Sequence, residues 1–469
     1  MKKLRDYSPI IGMREISELQ RMGEALEEKT LAHVSSTFYG GGVAEMLSPL
    51  ILLMNDVGLK TEWRIFRGSP DFFAVTKKMH NALQGDVKIR LNKPEIRLYE
   101  ETAEDNTRYM SLEGYDCVVV HDPQPAPLIN YYHRKVPWMF KPLPIIIGLK
   151  TVQKTQPWIW RCHVDLTNPN PAVWNYLQRF VSKYDAAIVS MEQYGNAITG
   201  GKPKYVIRPA IDPLSAKNLP MSEEKAESIL EKYGISCKKP IIAQVSRFDR
   251  WKDPLGVIET YKLVKKKADC KLILLGNTAT DDPEGDSIYK QTIMAAEGDE
   301  DVYAISLQSD ELVNAVQTIS KVVIQKSLRE GFGLTVSEAL WKGTPVVASA
   351  VGGMPLQVID GNNGFLVNGP EECAEKTIWL LKHPKEAKRM GANGREHVRS
   401  NFLITRLLKD YLSMMQERLY SHSMKIGGRR VPGISHAGYH VSRAFKAPAN
   451  ILMKFGKALE KAIMGKEPK

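Results

Sequence analysis

Two glutamates, Glu330 and Glu338, flank a glycine-containing turn in the C-terminal half of the chain. The turn carries Gly331 and Gly333 and follows VVIQ, an apolar, β-branched run that is typical of a buried strand. A helix is predicted from about Leu334, and the free N–H groups and positive dipole end at its start favour an anion such as phosphate. Carboxylates beside that helix end can accept hydrogen bonds from hydroxyl groups. The pattern suits a sugar nucleotide, but an ordinary turn with two solvated glutamates would have the same residues.

A second strand end in the same half brings two cations together. Arg247 and Lys252 follow the apolar run IIAQV, and Asp253 with Pro254 predicts the N-terminal cap and first residue of the next helix. Two cations at one edge of a crevice can bind a diphosphate, although unpaired surface charges are an alternative interpretation. Together with the carboxylates and the helix start at the other strand end, they form the constellation expected for a nucleotide sugar.

Polar residues also follow two strands predicted in the N-terminal half. DCVVVHDPQP places His121 and Asp122 at the end of one strand, and WIWRCHVDLT (158–167) carries His163 and Asp165. Because the carboxyl ends of parallel strands lie at one edge of a sheet, we expect these side chains to point into one crevice. His163 taken alone would more readily be structural, whereas the four residues together favour a functional site.

Strands alternate with helical patterns along both halves, which predicts an α/β chain with doubly wound parallel sheets. The first set of predicted strands comprises 31–36, 61–66, 116–122, 158–167, 186–190 and 204–212. The second set comprises 241–245, 271–276, 302–306, 322–325, 345–349 and 364–367. Three glycines, 40–42, directly follow the first strand. They would let the backbone approach a ligand closely, or would only make the turn flexible.

Composition excludes several classes of protein. The 469 residues suffice for two or three domains with buried cores, and 43% hydrophobic with 25% charged residues is typical of a globular chain. The five cysteines are scattered without CxxC spacing, which indicates a reducing, cytoplasmic setting and argues against a zinc site. No apolar run follows Met1 as in a signal peptide, and the stretch 142–149 is too short to span a membrane.

Most of the net charge of +12 lies in residues 421–469, which contain ten lysines and arginines against two glutamates. A nucleic-acid partner is not expected, because no recognised fold or aromatic-basic groove accompanies this charge. Residues 449–465 predict a basic amphipathic helix. Such a helix could lie on an anionic membrane surface, dock on a protein partner or pack on its own chain.

Two motifs in the C-terminal half resemble those of a known family. SRFDRWK and EGFGLTVSEA, with the E-x7-E spacing of Glu330 and Glu338, are similar to retaining glycosyltransferases built from two Rossmann-like domains (GT-B). The N-terminal half resembles trehalose glycosyltransferring synthases and the related retaining trehalose phosphorylases. This second resemblance rests on HVSSTFYGGGVAEML, HNALQG, VHDPQP, WRCHVDLTNPN and AIDPLSAKN, and it extends from about 31 to 418.

The resemblance implies a role for each matched residue. His163, Asp122 and Glu330 are the implied catalytic residues. The implied nucleotide-sugar-binding residues are Gly41, Gly42, Arg247, Lys252, Gly331, Phe332, Gly333, Leu334, Thr335 and Glu338. Glu45 and Asp165 are implied on the acceptor side.

The resemblance also implies a domain organisation, with two Rossmann-like doubly wound domains facing a central cleft. An N-terminal acceptor domain is expected over 1–215 and a nucleotide-sugar domain over 216–400. A helix over 401–420 is expected to pack back towards the N-terminal domain, and 421–469 forms a basic, partly amphipathic tail.

The expected reaction is the transfer of glucose from ADP- or UDP-glucose to glucose, which forms trehalose and releases the nucleoside diphosphate. A trehalose phosphorylase, a transferase with a sugar phosphate or lipid acceptor, and a binding protein without turnover are the alternatives. The segment 136–165 is about twenty residues longer than the family pattern and lies next to the acceptor side, so the acceptor stays open. The partners expected are thus the donor and a sugar acceptor, and a homodimer is also left open.

No cofactor and no metal are expected. The acidic triplet 299–301 precedes a predicted strand and is interpreted as a solvated turn. Retention by double displacement needs a close pair of carboxyl groups, and the sequence does not identify one. Front-face substitution is therefore favoured, with cations and the helix start stabilising the leaving phosphate. A further departure is GGMPLQV, where Leu356 and Gln357 occupy a position that is acidic in related transferases.

Overall fold

Six parallel strands form the N-terminal sheet, in the order β2-β1-β3-β4-β5-β6. These strands are β1 (Thr30–Ser35), β2 (Lys60–Ile65), β3 (Cys117–His121), β4 (Trp158–Arg161), β5 (Ala186–Val189) and β6 (Lys204–Val206). The structure is a computed structural model. It describes residues 2–38, 41–132, 156–277 and 285–426, with side chains as far as Tyr420.

A second sheet of six parallel strands follows, in the order β12-β11-β10-β7-β8-β9. Its strands are β7 (Ile241–Val245), β8 (Lys271–Gly276), β9 (Val302–Ser306), β10 (Val322–Gln325), β11 (Val346–Ser349) and β12 (Gly364–Val367). The predicted α/β fold with two doubly wound sheets is confirmed. Both sheets belong to one compact unit, Met1–Ser423, and a second unit comprises Met424–Lys469.

Helices connect the strands in both halves. In the N-terminal half they are α1 (Ser8–Ile11), α2 (Met13–Glu24), α3 (Gly41–Asp56), α4 (Pro70–Leu83), α5 (Lys93–Asn106), α6 (Leu128–Tyr132) and α7 (Pro171–Val181). In the C-terminal half they are α8 (Glu223–Glu231), α9 (Pro254–Lys265), α10 (Gly285–Ala296), α11 (Asp310–Ile319), α12 (Leu334–Trp341), α13 (Met354–Gln357), α14 (Pro370–Lys382), α15 (Pro384–Asn401) and α16 (Ile404–Ile426).

Burial on both faces of the sheets explains why their strands are continuous apolar runs rather than alternating ones. In the N-terminal sheet, Leu31 and Val119 belong to one core cluster, while Ala32 and Val118 belong to the cluster on the other face. Every residue of β3 and β4 is buried. The functional residues therefore have to lie at the strand ends, where the chain leaves the sheet.

Local signals fix where several helices begin. Asp253 caps α9, as predicted, by accepting a hydrogen bond from the Gly256 N–H at 3.1 Å, and Pro254 is the first helical residue. Two strands end several residues before their predicted ends. β4 ends at Arg161, and β6 ends at Val206, shortly before Pro209, which has no N–H to continue a ladder.

The long helix α16 packs on the N-terminal sheet. Its residues Ile404, Leu407 and Tyr411 belong to the same core cluster as Leu31 of β1. The backbone of Ile211 also donates to the Phe402 carbonyl at 2.8 Å, so the start of α16 is tied to the segment that links the sheets. The domain boundaries stay predictions.

Three predictions fall wholly or partly outside the described residues. These are most of the long segment 136–165, Gly40 of the triglycine turn, and the amphipathic helix at 449–465. Among the helices of the described residues, none combines the length and apolar character needed to cross a lipid bilayer.

Candidate functional site

The turn between β10 and α12 is shaped by its two glycines. Gly333 has φ +83°, a left-handed conformation that suits glycine, and it caps α12, which begins at Leu334. A Cβ added to Gly331 would lie 2.4 Å from the carbonyl oxygen of His163. The turn thus contacts the N-terminal domain backbone to backbone. The N–H groups of Leu334 and Thr335, in the first helical turn, have no partner within the helix itself.

Glu330 lies in this turn beside a cation from another strand end. It is buried, and its carboxylate forms an ion pair with Lys252. Ser327 donates a further hydrogen bond from Oγ to Glu330 Oε2 at 3.3 Å. The structure therefore brings the predicted carboxylate and one predicted diphosphate cation into contact.

Arg247, the other predicted cation, lies beside the buried carboxylate of Asp249. Its Nη2 is 3.8 Å from Asp249 Oδ2, and its side chain is 38% exposed. Lys77 of α4 lies 3.1 Å from the same carboxylate. Burial alone would raise the pKa of Asp249, but Lys77 and Arg247 outweigh it and lower this pKa to about 2. Asp249 therefore stays charged and links the Arg247 loop to the N-terminal domain.

Two more contacts join the same loop to the N-terminal domain. Arg250 forms an ion pair with Asp86 at 3.0 Å, and the Trp251 indole N–H donates to Asn81 at 3.0 Å. The segment 247–252 is thus held against α4 and the residues that follow α4.

Glu338 is buried on α12 and shares a lysine with Glu45 of α3. Lys217 Nζ lies 3.4 Å from Glu338 and 2.8 Å from Glu45. Burial would lower the pKa of Lys217, but Glu338 and Glu45 outweigh it and raise this pKa. Glu45 therefore lies beside Glu338, a predicted nucleotide-sugar-binding residue, and its acceptor role stays a prediction. Lys217 is not among the site residues predicted from the sequence, although it belongs to the stretch AIDPLSAKN.

Asp122 has an unusual backbone and an unusual pKa. Its φ of +62° is rare for a residue with a side chain. Oδ1 accepts a hydrogen bond from the His163 backbone N–H at 2.7 Å. Burial raises the pKa of Asp122 to about 7, against the opposing effects of that hydrogen bond and of Arg161. Such strain and such a shift are typical of functional sites.

His163 is the outermost of three histidines that contact each other in series. Its Nε2 lies 3.0 Å from His121 Nδ1, and His121 Nε2 lies 2.8 Å from His33 Nδ1. Burial is the main cause that lowers the pKa of each ring, to about 3 for His33 and well below the ordinary value for the other two. These lowered pKa values favour the neutral form of all three rings near neutral pH. His33, a lone histidine in an apolar strand, is not among the site residues predicted from the sequence.

The two domains also meet through three further residues. The Tyr194 hydroxyl donates to the carbonyl oxygens of Glu330 at 3.2 Å and Gly331 at 2.9 Å. Asp165, a predicted acceptor-side residue, lies 3.9 Å from Arg329. The carboxyl ends of β3 and β4 consequently face those of β7 and β10 across one cleft.

Three predicted residues of the donor side have contacts that qualify their roles. The Phe332 ring is buried against Phe402, so only its backbone can reach a ligand. A Cβ on Gly42 would lie 3.3 Å from the Leu334 side chain, so the turn between β1 and α3 lies near the start of α12. Gly41, with φ +80°, begins α3 in the same turn.

Gln357, at the position that departs from the family pattern, supports the same loop. Its Nε2 donates to the Phe332 carbonyl at 2.6 Å, and its Oε1 accepts from the Ser337 hydroxyl at 2.5 Å. An amide can make both contacts at once, whereas an ionised carboxylate can only accept.

The acidic triplet 299–301 lies at the start of β9, the opposite end of the sheet from the cleft. Asp301 pairs with Lys239 at 2.7 Å and Lys265 at 2.5 Å. Within the described ranges, no group of three or more His, Cys, Asp or Glu side chains could hold a metal ion.

The fold and the cleft define a class of protein. Residues 225–397 match the family model for glycosyl transferases group 1. The structure is similar to an α,α-trehalose-phosphate synthase (UDP-forming) from Burkholderia vietnamiensis, with a TM-score of 0.65, 13% identity, and coverage of 85% of this chain and 98% of that one. At this identity the likeness shows the fold alone. The protein is a glycosyltransferase of the two-domain GT-B type.

Sequence relatives narrow the class to a family. Residues 33–142 and 141–196 match the model for the trehalose synthase N-terminal domain. The chain is 42% identical over 419 residues to trehalose synthase from Pyrococcus horikoshii, which covers 88% of this chain and 96% of that one. The chain belongs to the trehalose synthase family and catalyses trehalose-related glycosyl transfer. It is more distantly similar to a trehalose phosphorylase from Pleurotus pulmonarius, with 27% identity over 403 residues, 77% of this chain and 54% of that one.

Proposed function

We propose that the protein transfers glucose from a nucleoside diphosphate glucose to glucose, with retention of the anomeric configuration. The products are trehalose and the nucleoside diphosphate. The observation that carries this proposal is the meeting of Lys252, Glu330 and the start of α12 in one cleft, with Arg247 beside them.

The charges of the cleft support a diphosphate donor. Lys252 and Arg247 are paired with the carboxylates of Glu330 and Asp249. A bound diphosphate would compete for both cations and leave Glu330 able to accept hydrogen bonds from sugar hydroxyls. The N–H groups at the start of α12 would bind the phosphate distal to the base.

The nucleotide end of the donor would lie along α12. Glu338 would accept from the ribose hydroxyls, which requires it to share or release Lys217. Because Lys217 also contacts Glu45, binding of the ribose would rearrange the contact between α3 and α12.

The carboxyl groups of the cleft favour front-face substitution over double displacement. With the diphosphate bound, Glu330 would accept hydrogen bonds from the sugar hydroxyls, and Asp122 accepts the backbone N–H of His163. Burial raises the pKa of Asp122 to about 7, so near neutral pH a large share of this group is protonated and is a poor nucleophile.

In the proposed reaction, the acceptor hydroxyl attacks the anomeric carbon on the face from which the phosphate departs. A bond forms between the anomeric carbon and the acceptor oxygen, and the bond to the phosphate oxygen breaks. The acceptor proton moves to that phosphate oxygen. Arg247, Lys252 and the start of α12 stabilise the negative charge that develops on the leaving group. These side chains supply the positive charge that a metal would otherwise provide, so we expect no metal requirement.

A panel of substrates tests the proposal. The purified chain is incubated with ADP- or UDP-glucose plus glucose, with glucose 1-phosphate plus glucose, and with NDP-glucose plus glucose 6-phosphate, each with and without EDTA. We expect trehalose in the first mixture only, at a rate that EDTA does not change. Trehalose from glucose 1-phosphate would establish a phosphorylase, and a product formed only from glucose 6-phosphate would establish a phosphorylated acceptor.

Two further arms cover the remaining alternatives. Transfer to an added lipid acceptor in place of glucose would establish a lipid glycosyltransferase. Binding of NDP-glucose without any product in every mixture would establish a binding protein without turnover.

A further inference from the structure

A chain of three histidines runs from the cleft into the N-terminal sheet. His33 lies within β1, His121 ends β3, and His163 follows β4; these three strands are neighbours in the sheet. His33 is 0% exposed and His121 is 1% exposed, whereas His163 is partly exposed. We call these three residues the histidine chain.

The two contacts of the histidine chain restrict where its protons lie. Each contact joins two ring nitrogens, so one must carry a proton and the other must offer a lone pair. A neutral imidazole has a single N–H. Both hydrogen bonds must therefore run in the same direction along the chain, and two directions exist.

In the outward direction, His33 Nδ1–H donates to His121 Nε2, and His121 Nδ1–H donates to His163 Nε2. The proton of His163 is then on Nδ1, the ring nitrogen that makes no contact with the other two histidines. In the inward direction every proton is on the other nitrogen of its ring. His163 Nδ1 is then a lone pair, and His33 Nε2 carries an N–H.

The buried end of the histidine chain distinguishes the two directions. His33 Nε2 is buried and has no hydrogen-bond partner among the described residues. In the inward direction a buried N–H would lack an acceptor, and orphaned buried N–H groups are rarer than under-satisfied acceptors. The outward direction leaves only a lone pair there.

Tyr411 is the aromatic neighbour of this end. Its ring meets His33 edge-on, with centroids 5.6 Å apart, and its hydroxyl has no hydrogen-bond partner within the part of the chain that the structure describes. A tyrosine hydroxyl can either donate or accept, so the direction rests on the missing acceptor at His33 Nε2.

We infer that the histidine chain holds His163 in the Nδ1–H tautomer, so that its side chain donates a hydrogen bond to a substrate oxygen and does not act as a base. His33 and His121 are positioning residues that act through His163. The identity of that oxygen, a hydroxyl or phosphate oxygen of the sugar donor or acceptor, rests on the proposed function. The tautomer itself does not.

The Nδ1–H tautomer of His163 also limits which group can act as the base in the proposed reaction. If His163 offers a proton rather than a lone pair, the acceptor hydroxyl cannot pass its proton to this ring. The leaving phosphate oxygen then remains the base, as front-face substitution requires.

Nitrogen NMR on the wild-type protein tests the inference, and one variant serves only to assign the signals. The chain is labelled with 15N-histidine, and long-range 1H–15N spectra report the protonated nitrogen of each ring. The His163 signals are assigned by their loss in His163→Gln. We expect a protonated Nδ1 and an unprotonated Nε2 at His163 in the wild-type chain. A protonated Nε2 at His163 would overturn the inference.

A second measurement tests the role of the buried end. His33→Phe removes the first hydrogen-bond donor of the histidine chain. We expect the Nε2–H tautomer of His163 to appear in the spectrum of this variant. His383→Gln, which changes an exposed histidine outside the histidine chain, serves as the control and should leave the His163 spectrum unchanged. A His163 spectrum in His33→Phe identical to that of the wild type, in a folded variant, would refute the positioning role.

The rate measurement separates the two proposals. Removal of one preorganised donor typically lowers turnover about 100-fold or more, so we expect that loss for His163→Phe and a smaller loss for His33→Phe. A wild-type Nδ1–H tautomer in a chain that does not use NDP-glucose would leave this inference standing and reject the proposed function. Trehalose synthesis by a protein whose His163 carries its proton on Nε2 would support the proposed function and reject this inference.

Discussion

The close approach of Gly331 to His163 makes the substitution Gly331→Ala a sharp probe of the cleft. The added Cβ would lie 2.4 Å from the His163 carbonyl oxygen, whereas ordinary contact begins at 3.4 Å. Gly331 does not have a positive φ, so the substitution introduces no backbone strain of its own. The two loops must therefore separate by about 1 Å, a displacement large enough to lower activity.

The expected cost follows from this displacement. Overpacking of a filled site lowers the free energy of unfolding by about 1–3 kcal/mol, and a misplacement of about 1 Å between reacting groups lowers the rate about 100-fold. We therefore expect kcat/KM to fall about 100-fold in a variant that still folds. Initial rates of trehalose formation and a thermal unfolding curve measure the two effects separately.

Gly114→Ala provides the matched control for this prediction. A Cβ at Gly114 would meet nothing within 4 Å, and this glycine also lacks a positive φ. We expect unchanged rates and an unchanged unfolding temperature for the control. Wild-type kcat/KM in Gly331→Ala would mean that the two loops do not meet in this way during catalysis.

The remaining predictions concern the charged groups of the cleft. Arg247→Ala and Lys252→Ala should each lower turnover by orders of magnitude with an unchanged circular dichroism spectrum, and near-normal rates in both would reject the diphosphate site. Glu330→Gln should mainly lower kcat and Glu338→Gln should mainly raise KM for the nucleotide; the opposite pattern would mean that the two roles are exchanged. Because burial raises the pKa of Asp122 from 3.8 to about 7, its contribution to stability is complete below pH 4 and is lost as the pH rises towards 7. The unfolding temperature of Asp122→Asn minus that of the wild type should therefore be larger at pH 8 than at pH 5. An equal difference at both pH values would contradict the raised pKa of Asp122.

Much of the fold follows from short stretches of sequence. Runs such as VVIQ and IIAQV are long enough for a strand and too short for a typical helix, and Asp253 with Pro254 marks a helix start through hydrogen bonding within three residues. The proximity of Glu330 and Lys252 is also predictable from the sequence, because both residues follow parallel strands whose carboxyl ends lie at one edge of the sheet. These predictions depend on local chemistry and on the geometry of parallel sheets.

Other features depend on contacts between distant segments, which no local pattern reveals. His33 is an ordinary histidine in an apolar strand until β1, β3 and β4 place it beside His121. Lys217 has no local partner, and its importance comes from Glu45 and Glu338, which belong to different helices. Tyr194 contacts the Glu330 turn only because the two domains meet.

The most direct test of the proposed reaction is an NMR analysis of the product formed from an α-linked NDP-glucose and glucose. The reaction predicts a symmetric disaccharide whose two anomeric protons both show the small coupling of an α linkage, with one nucleoside diphosphate released for each disaccharide. The large coupling of a β linkage, or a disaccharide formed without nucleotide release, would contradict the account.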